Sequence, residues 1–196
     1  MKIELDNTEE KLVRSTFQIL QKEGVAKTTV KRVADGAGFN EATVMRRFGT
    51  KDNLIQTTKD YYMQSLLNKL ENNFSFDGDE EIEEYLKSCF YGILDFTEDD
   101  FSVVKVALQE VKETPNRKLL ISQITDTILG KLEAFFELQL EKSVIKAITP
   151  KALAVMCFSI IFQSLILWQI YGNVEIEPDL FAEDILNIIF NGIKPE

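Results

Sequence analysis

The stretch Gly38–Leu54, GFNEATVMRRFGTKDNL, decides how the chain is read. It holds a glycine turn, a very short helix with Arg46 and Arg47 side by side, and the opening of a longer helix. The chain as a whole carries a net charge of −10. Positive charge concentrated on one short helix of an acidic protein calls for a polyanionic partner.

The sequence on either side fits the same helical pattern. Four prolines, nine glycines and apolar residues spaced by threes and fours predict an all-α chain of about nine helices with no strand. Asn7, with Glu10 three residues on, is the expected cap of a first helix whose Val13, Phe17 and Leu20 share a face up to Gly24. Thr28 or Thr29 opens a second helix with Val30, Val33, Ala34 and Ala37 inward, ended by Gly36 and Gly38. Asn40 caps the short third, with Val44 and Phe48 inward. A fourth runs from Thr50 or Lys51 past Tyr61 to about Asn73. Beyond the loop NNFSFDGDEE, helices are expected from about Asp79 to Phe96, Asp99 to Lys112, Pro115 toward Lys146, Thr149-Pro150 to near Gly172, and Pro178 to near Gly192.

Composition excludes several kinds of chemistry. The chain has no histidine, so Ser-His and Cys-His triads and histidine-bearing zinc sites are ruled out. No glycine-rich phosphate loop is present, and neither a metal nor a cofactor is expected. An enzyme is not expected; a carboxylate-based one on a helical scaffold is the only catalytic alternative. Cys89 and Cys157 lack CxxC spacing and read as core residues of a reduced cytoplasmic protein. The start MKIELDNTEE lacks the basic and apolar regions of an export signal.

Charge is divided unevenly. Residues 1–60 hold eleven Lys and Arg against nine Asp and Glu, while the remainder holds eleven against twenty-three. A mildly basic head on a strongly acidic body predicts that the head alone meets a polyanion. Two short helices joined by a tight turn and packed on a preceding helix form a helix-turn-helix, whose second helix enters the DNA major groove. With Val44 and Phe48 buried, Glu41, Ala42, Thr43, Met45, Arg46 and Arg47 face outward. Arginines fit phosphates or guanine edges, and Thr43 offers a thymine its methyl. Thr29, Asn40 and Lys51 begin three helices, where free N–H groups attract phosphate.

At this point TTVKRVADGAGFNEATVMRRFGTKDNLI resembles the DNA-binding signature of TetR/AcrR-type transcriptional regulators over roughly residues 8–60. A threonine opens helix two, an Ala-Gly-hydrophobic turn follows, and an aromatic-Gly-Thr-Lys segment opens helix four. The resemblance implies a helix-turn-helix domain over residues 1–50 and an effector-binding, dimerising domain over 51–196. It places DNA contacts on Thr28, Thr29, Lys31, Arg32, Asn40, Glu41, Ala42, Thr43, Met45, Arg46, Arg47 and Lys51. Two positions depart from the pattern: Met45 stands where the family has a phosphate-binding tyrosine, and Glu41 where a lysine or small polar residue is usual. Arg46, Arg47 and Lys31 should then carry more of the attraction.

The resemblance further implies a homodimer on a palindromic operator, and a repressor released by a lipophilic small molecule. Phe90, Tyr91, Gln109, Phe135, Phe162 and Gln163 are the expected ligand contacts. The alternative is a TetR-like architectural or division-associated DNA binder with no effector, which a solidly packed body would favour. Ala152–Val174 is uncharged throughout and long enough to cross a bilayer, but its glutamines and serines argue for burial in protein. In the TetR-like scheme one face of this helix meets its own core and the other a partner. The expected dimer residues are Leu153, Cys157, Ile160, Ser164, Leu167, Tyr171, Phe181, Ile185, Ile188 and Ile189.

Overall fold

The first helix opens one residue earlier than expected, on Asp6. In the computed structural model, which describes residues 3–113, 120–167 and 177–193, Asp6 Oδ1 accepts from the N–H groups of Thr8 and Glu9 at 2.8 and 2.9 Å. Glu9 Oε2 accepts from Asp6 N–H at 3.0 Å, completing a capping box. Asn7 with Glu10 has the same spacing, but a carboxylate interacts more strongly than an amide with the positive end of the helix dipole. Helix α1, Asn7–Glu23, then buries Leu12, Val13, Phe17 and Leu20.

Gly24, at φ 76°, ends α1 and leads through a 3₁₀ turn, Val25–Lys27, into α2, Val30–Ala37. Gly38 supplies the left-handed residue, φ 75°, that stops α2. Gly36, expected to help end this helix, lies inside it. A Cβ there would stand 2.5 Å from Ser15 Oγ, and that hydroxyl donates to Val33 O at 3.0 Å. Gly36 therefore permits a close crossing of α1 and α2.

Helix α3 is Glu41–Phe48 and α4 is Lys51–Asn73. Thr50 Oγ1 accepts from Asn53 N–H at 3.0 Å at the start of α4. Five more helices follow: α5 Ile82–Leu94, α6 Glu98–Glu113, α7 Leu120–Glu141, α8 Pro150–Leu165 and α9 Pro178–Ile193. The described residues thus hold nine α-helices and no strand. The expected helix from Pro115 toward Lys146 differs at its end: α7 stops at Glu141, where Ser143 turns left-handed at φ 59° and Val144 N–H donates to Gln139 O at 3.0 Å. Pro115 and Gly172 lie outside the described residues. No described helix is long and apolar enough to cross a membrane.

The chain forms two compact units, Met1–Asn68 with Glu98–Ile121, and Lys69–Thr97 with Ser122–Glu196. In the first, Leu12 and Val13 of α1, Val33 and Ala34 of α2, Val44 and Phe48 of α3, and Leu54 of α4 make one buried cluster. Phe17 stacks on Tyr62 with ring centroids 3.8 Å apart, and α6 also packs on α1. In the second unit, Tyr85 stacks on Phe135 at 3.8 Å and donates its hydroxyl to Phe74 O at 3.1 Å. Asn73 Nδ2 donates to Cys89 O at 3.0 Å. Burial pushes the thiols of Cys89 and Cys157 up to about 12, as expected of core cysteines.

The α1–α2 crossing makes a test by sign. Gly36→Ala gains helix propensity of about 1 kcal/mol, but against Ser15 it overpacks the crossing at a cost of about 1–3 kcal/mol. Thermal melts should show Gly36→Ala lowering Tm in the parent and raising it over Ser15→Ala.

Candidate nucleic-acid interface

Eight residues make too short a helix to persist alone in water, so α3 owes its existence to its ends and its inner face. Asn40 Oδ1 accepts from Thr43 N–H at 2.8 Å and from Thr43 Oγ1 at 2.9 Å. Gly49, at φ 72°, closes the other end by donating to Met45 O at 2.8 Å. Asn53 Nδ2 donates to Phe48 O at 2.8 Å and ties the start of α4 to the same end. Val44 and Phe48 are buried as expected.

The opposite face is open. Glu41, Ala42, Met45, Arg46 and Arg47 are exposed and Thr43 is half-buried. Met45, at 45% exposure, is one of the large apolar side chains left in water. Such a methionine suits contact with a thymine methyl and offers phosphate no donor. Thr43 arrives with its hydroxyl donated to Asn40, so its methyl and lone pairs remain for a base.

The cations of the surface fall into two classes. Arg47 Nη1 lies 2.5 Å from Asp6 Oδ2 and 3.8 Å from Glu9 Oε1. Arg32 is held by Glu23 through both guanidinium nitrogens, with Nη1 at 3.0 Å from Glu23 Oε2, and Nη1 also donates to Lys27 O at 3.0 Å. That hydrogen-bonded pair lowers the Glu23 carboxyl and raises the Arg32 guanidinium. Lys31, Arg46 and Lys51 make no ion pair among the described residues.

Thr29 and Thr28, adjacent in the sequence, separate in the fold. Thr29 is exposed, and its hydroxyl caps α2 by accepting from Arg32 N–H at 3.3 Å. Thr28 is fully buried and donates to Gly24 O at 3.0 Å, which leaves it nothing to offer a ligand. The sequence marks Asp6 and Glu9 only as part of an acidic start. Their approach to Arg47 has no signal in residue spacing, because it depends on how α3 lies against α1.

Residues 12–58 match the model for bacterial regulatory proteins of the tetR family. This segment, which spans α1 to the first turns of α4, is similar to the DNA-binding segment of that family. Solved structures extend the likeness to the whole chain. The flavonoid-responsive regulator FrrA superposes with a TM-score of 0.70 at 17% identity, over 98% of this chain and 100% of that one. NalD of Pseudomonas aeruginosa, the secondary repressor of the MexAB-OprM multidrug efflux pump, gives 0.67 at 16%, over 97% and 98%. A TetR family transcriptional regulator from Pseudomonas syringae pv. tomato gives 0.72 at 17%, over 98% and 100%. No curated protein sequence matches the chain. At such identities the structural likeness establishes the fold, a tetR-type helix-turn-helix head followed by helices of a tetR-like body.

The residues expected at a ligand site differ in their surroundings. Phe135 is fully buried in the aromatic cluster with Tyr85, and Phe162 stacks on Phe158 at 5.5 Å. Gln163 is exposed, Tyr91 is half-buried, and Gln109 is exposed on α6 in the other unit. Phe90 lines an apolar cavity with Leu86, Cys157, Ile160, Ile161, Ile185, Leu186 and Ile189. That cavity measures about 20 Å³ and has room for roughly one water.

The residues expected at a dimer face also differ in exposure. Leu153, Cys157 and Ser164 on α8 and Ile189 on α9 are buried inside the chain's own unit, and Ile160, Leu167, Phe181 and Ile185 are half-buried. Tyr171 lies outside the described residues. Of that set Ile188 is exposed, at 69%. The outward apolar residues of these helices are instead Val155, Met156, Leu180 and Ile188.

Removing the α3 cap tests the site directly. Asn40→Ala should cost about 1 kcal/mol, read as a lower Tm, and should weaken DNA binding because the helix presenting Arg46 frays from its first turn.

Proposed function

We propose that this chain is a transcriptional regulator of the tetR type that binds a palindromic operator as a two-fold dimer, with α3 of each protomer in the major groove. The observation that carries the reading is α3 itself: capped, pinned by Val44 and Phe48, and exposing Met45 together with an Arg46 that has no ion pair among the described residues. Lys31, Thr29 and Lys51 border it and serve the phosphate backbone, Glu41 accepts from a cytosine amino group, and Ala42, Thr43 and Met45 meet base methyl groups. The DNA-binding domain comprises residues 1–50 and the regulatory, dimerising domain 51–196. The protein acts in the cytoplasm and has no catalytic role. Selection of bound duplexes from a random library by the full chain tests this; an operator with two half-sites about one helical turn apart is expected. Arg46→Ala should weaken binding to the recovered duplex and reduce the slope of log K against log salt by about 0.9 for each phosphate that the arginine neutralises.

The dimer face we propose is the outward one, Val155 and Met156 of α8 with Leu180 and Ile188 of α9. Together they leave four large apolar side chains of α8 and α9 in water, which a contact with a second copy would cover. Val155→Glu combined with Ile188→Glu should shift the sedimentation mass at micromolar concentration from two chains to one, with the helical circular-dichroism spectrum unchanged.

For control, we propose repression relieved by a lipophilic ligand that enters between α5, α8 and α9 at the apolar cavity by Phe90. FrrA responds to flavonoids and NalD represses an efflux pump, which favours this direction. The cavity at about 20 Å³ must open more than tenfold to hold such a molecule, since sites for drug-sized ligands occupy about 300–1,000 Å³. The same observation favours a second reading, a DNA binder without any effector. Reciprocal weakening of ligand and operator binding would separate the two.

A further inference from the structure

Arg47, which the sequence assigns to DNA, faces two carboxylates of its own chain. Neither reaches it on a free side chain. Asp6 turns Oδ2 to the guanidinium while Oδ1 stays on the N–H groups of Thr8 and Glu9. Glu9 likewise turns Oε1 toward Arg47 while Oε2 stays on Asp6 N–H. The capping box thus aims two oxygens of fixed direction at one guanidinium, much as a phosphate would present its own. One positive charge meets two negative ones.

The neighbouring cation is treated differently. Arg46 is exposed and makes no ion pair among the described residues. The side chains of Arg47 and Asp6 remain 33% and 45% exposed, so water and an incoming anion can reach the pair. Hydrogen bonds from the Glu9 and Thr8 backbone and the charge of Arg47 lower the Asp6 carboxyl, which keeps it ionised at neutral pH.

Resting on the DNA-binding reading above, we infer that Asp6 and Glu9 are an intramolecular stand-in for DNA phosphate: they hold Arg47 in the free protein, and an operator phosphate takes it only by displacing them. α3 therefore meets DNA with one open guanidinium and one occupied. Competition of this kind lowers affinity for every duplex and leaves the base contacts of Met45 and Thr43 untouched.

The test is a double-mutant cycle on the duplex recovered by selection with the full chain. Asp6→Asn removes the charge and keeps the cap, because asparagine caps as well as aspartate. It should bind about two- to five-fold more tightly than the parent, the range expected for an exposed ion pair. In an Arg47→Ala background that gain should vanish, since no guanidinium is left to release. Glu9→Gln, which keeps the capping box, should give a smaller gain with the same dependence on Arg47. An equal gain in both backgrounds would reduce the effect to general charge repulsion and overturn the inference. So would no gain, or a loss, which would make the pair a device for positioning α3. Failure to recover any duplex would bring down the DNA-binding reading itself, and this inference with it.

Discussion

The burial of Val44 and Phe48 against Leu12, Val13 and Val33 is the interaction on which the rest depends. A helix of eight residues has too few internal hydrogen bonds to offset its nucleation cost. Two buried side chains, one cap and one glycine hold it. Because the inner face is fixed by this core, the outer face is fixed too, and the direction in which Met45 and Arg46 project follows from packing some distance behind them. Chemistry at the surface is thus specified by hydrophobic contacts beneath it.

The local elements are legible in the sequence where a backbone requirement has a residue type to match. Asn40, Thr29, Gly24 and Gly38 occupy the conformations that their side chains, or lack of one, favour. Val33, Ala34, Val44 and Phe48 sit on the faces that helical periodicity assigns. Gly36 shows the boundary of such reasoning. Its role is set by Ser15, twenty-one positions earlier, and glycine as a helix terminator and glycine as a site of close approach look the same in one dimension.

Helix α8 illustrates a different limit. Almost every residue from Ala152 to Leu165 is apolar or small, so no polar stripe marks the outside and the period gives no phase. The expected partner-facing stripe through Leu153 and Cys157 is the one packed inside its own unit, and Val155 and Met156 point outward instead. The aromatic residues of the body pose a related difficulty. Phenylalanine at helical spacing fills a core as readily as it lines a pocket, and Phe135 fills one. Arg47 is legible as an exposed cation, whereas the carboxylates that meet it come from another helix.

The sharing of one small cluster by α1, α2, α3 and the start of α4 also bears on how the head fluctuates. None of the short helices has a reserve of stability of its own, so partial opening of one exposes the apolar residues of the others. Amide protons in α2 and α3 should then exchange with solvent through a common opening event, as a single foldon with one protection factor, rather than fraying helix by helix.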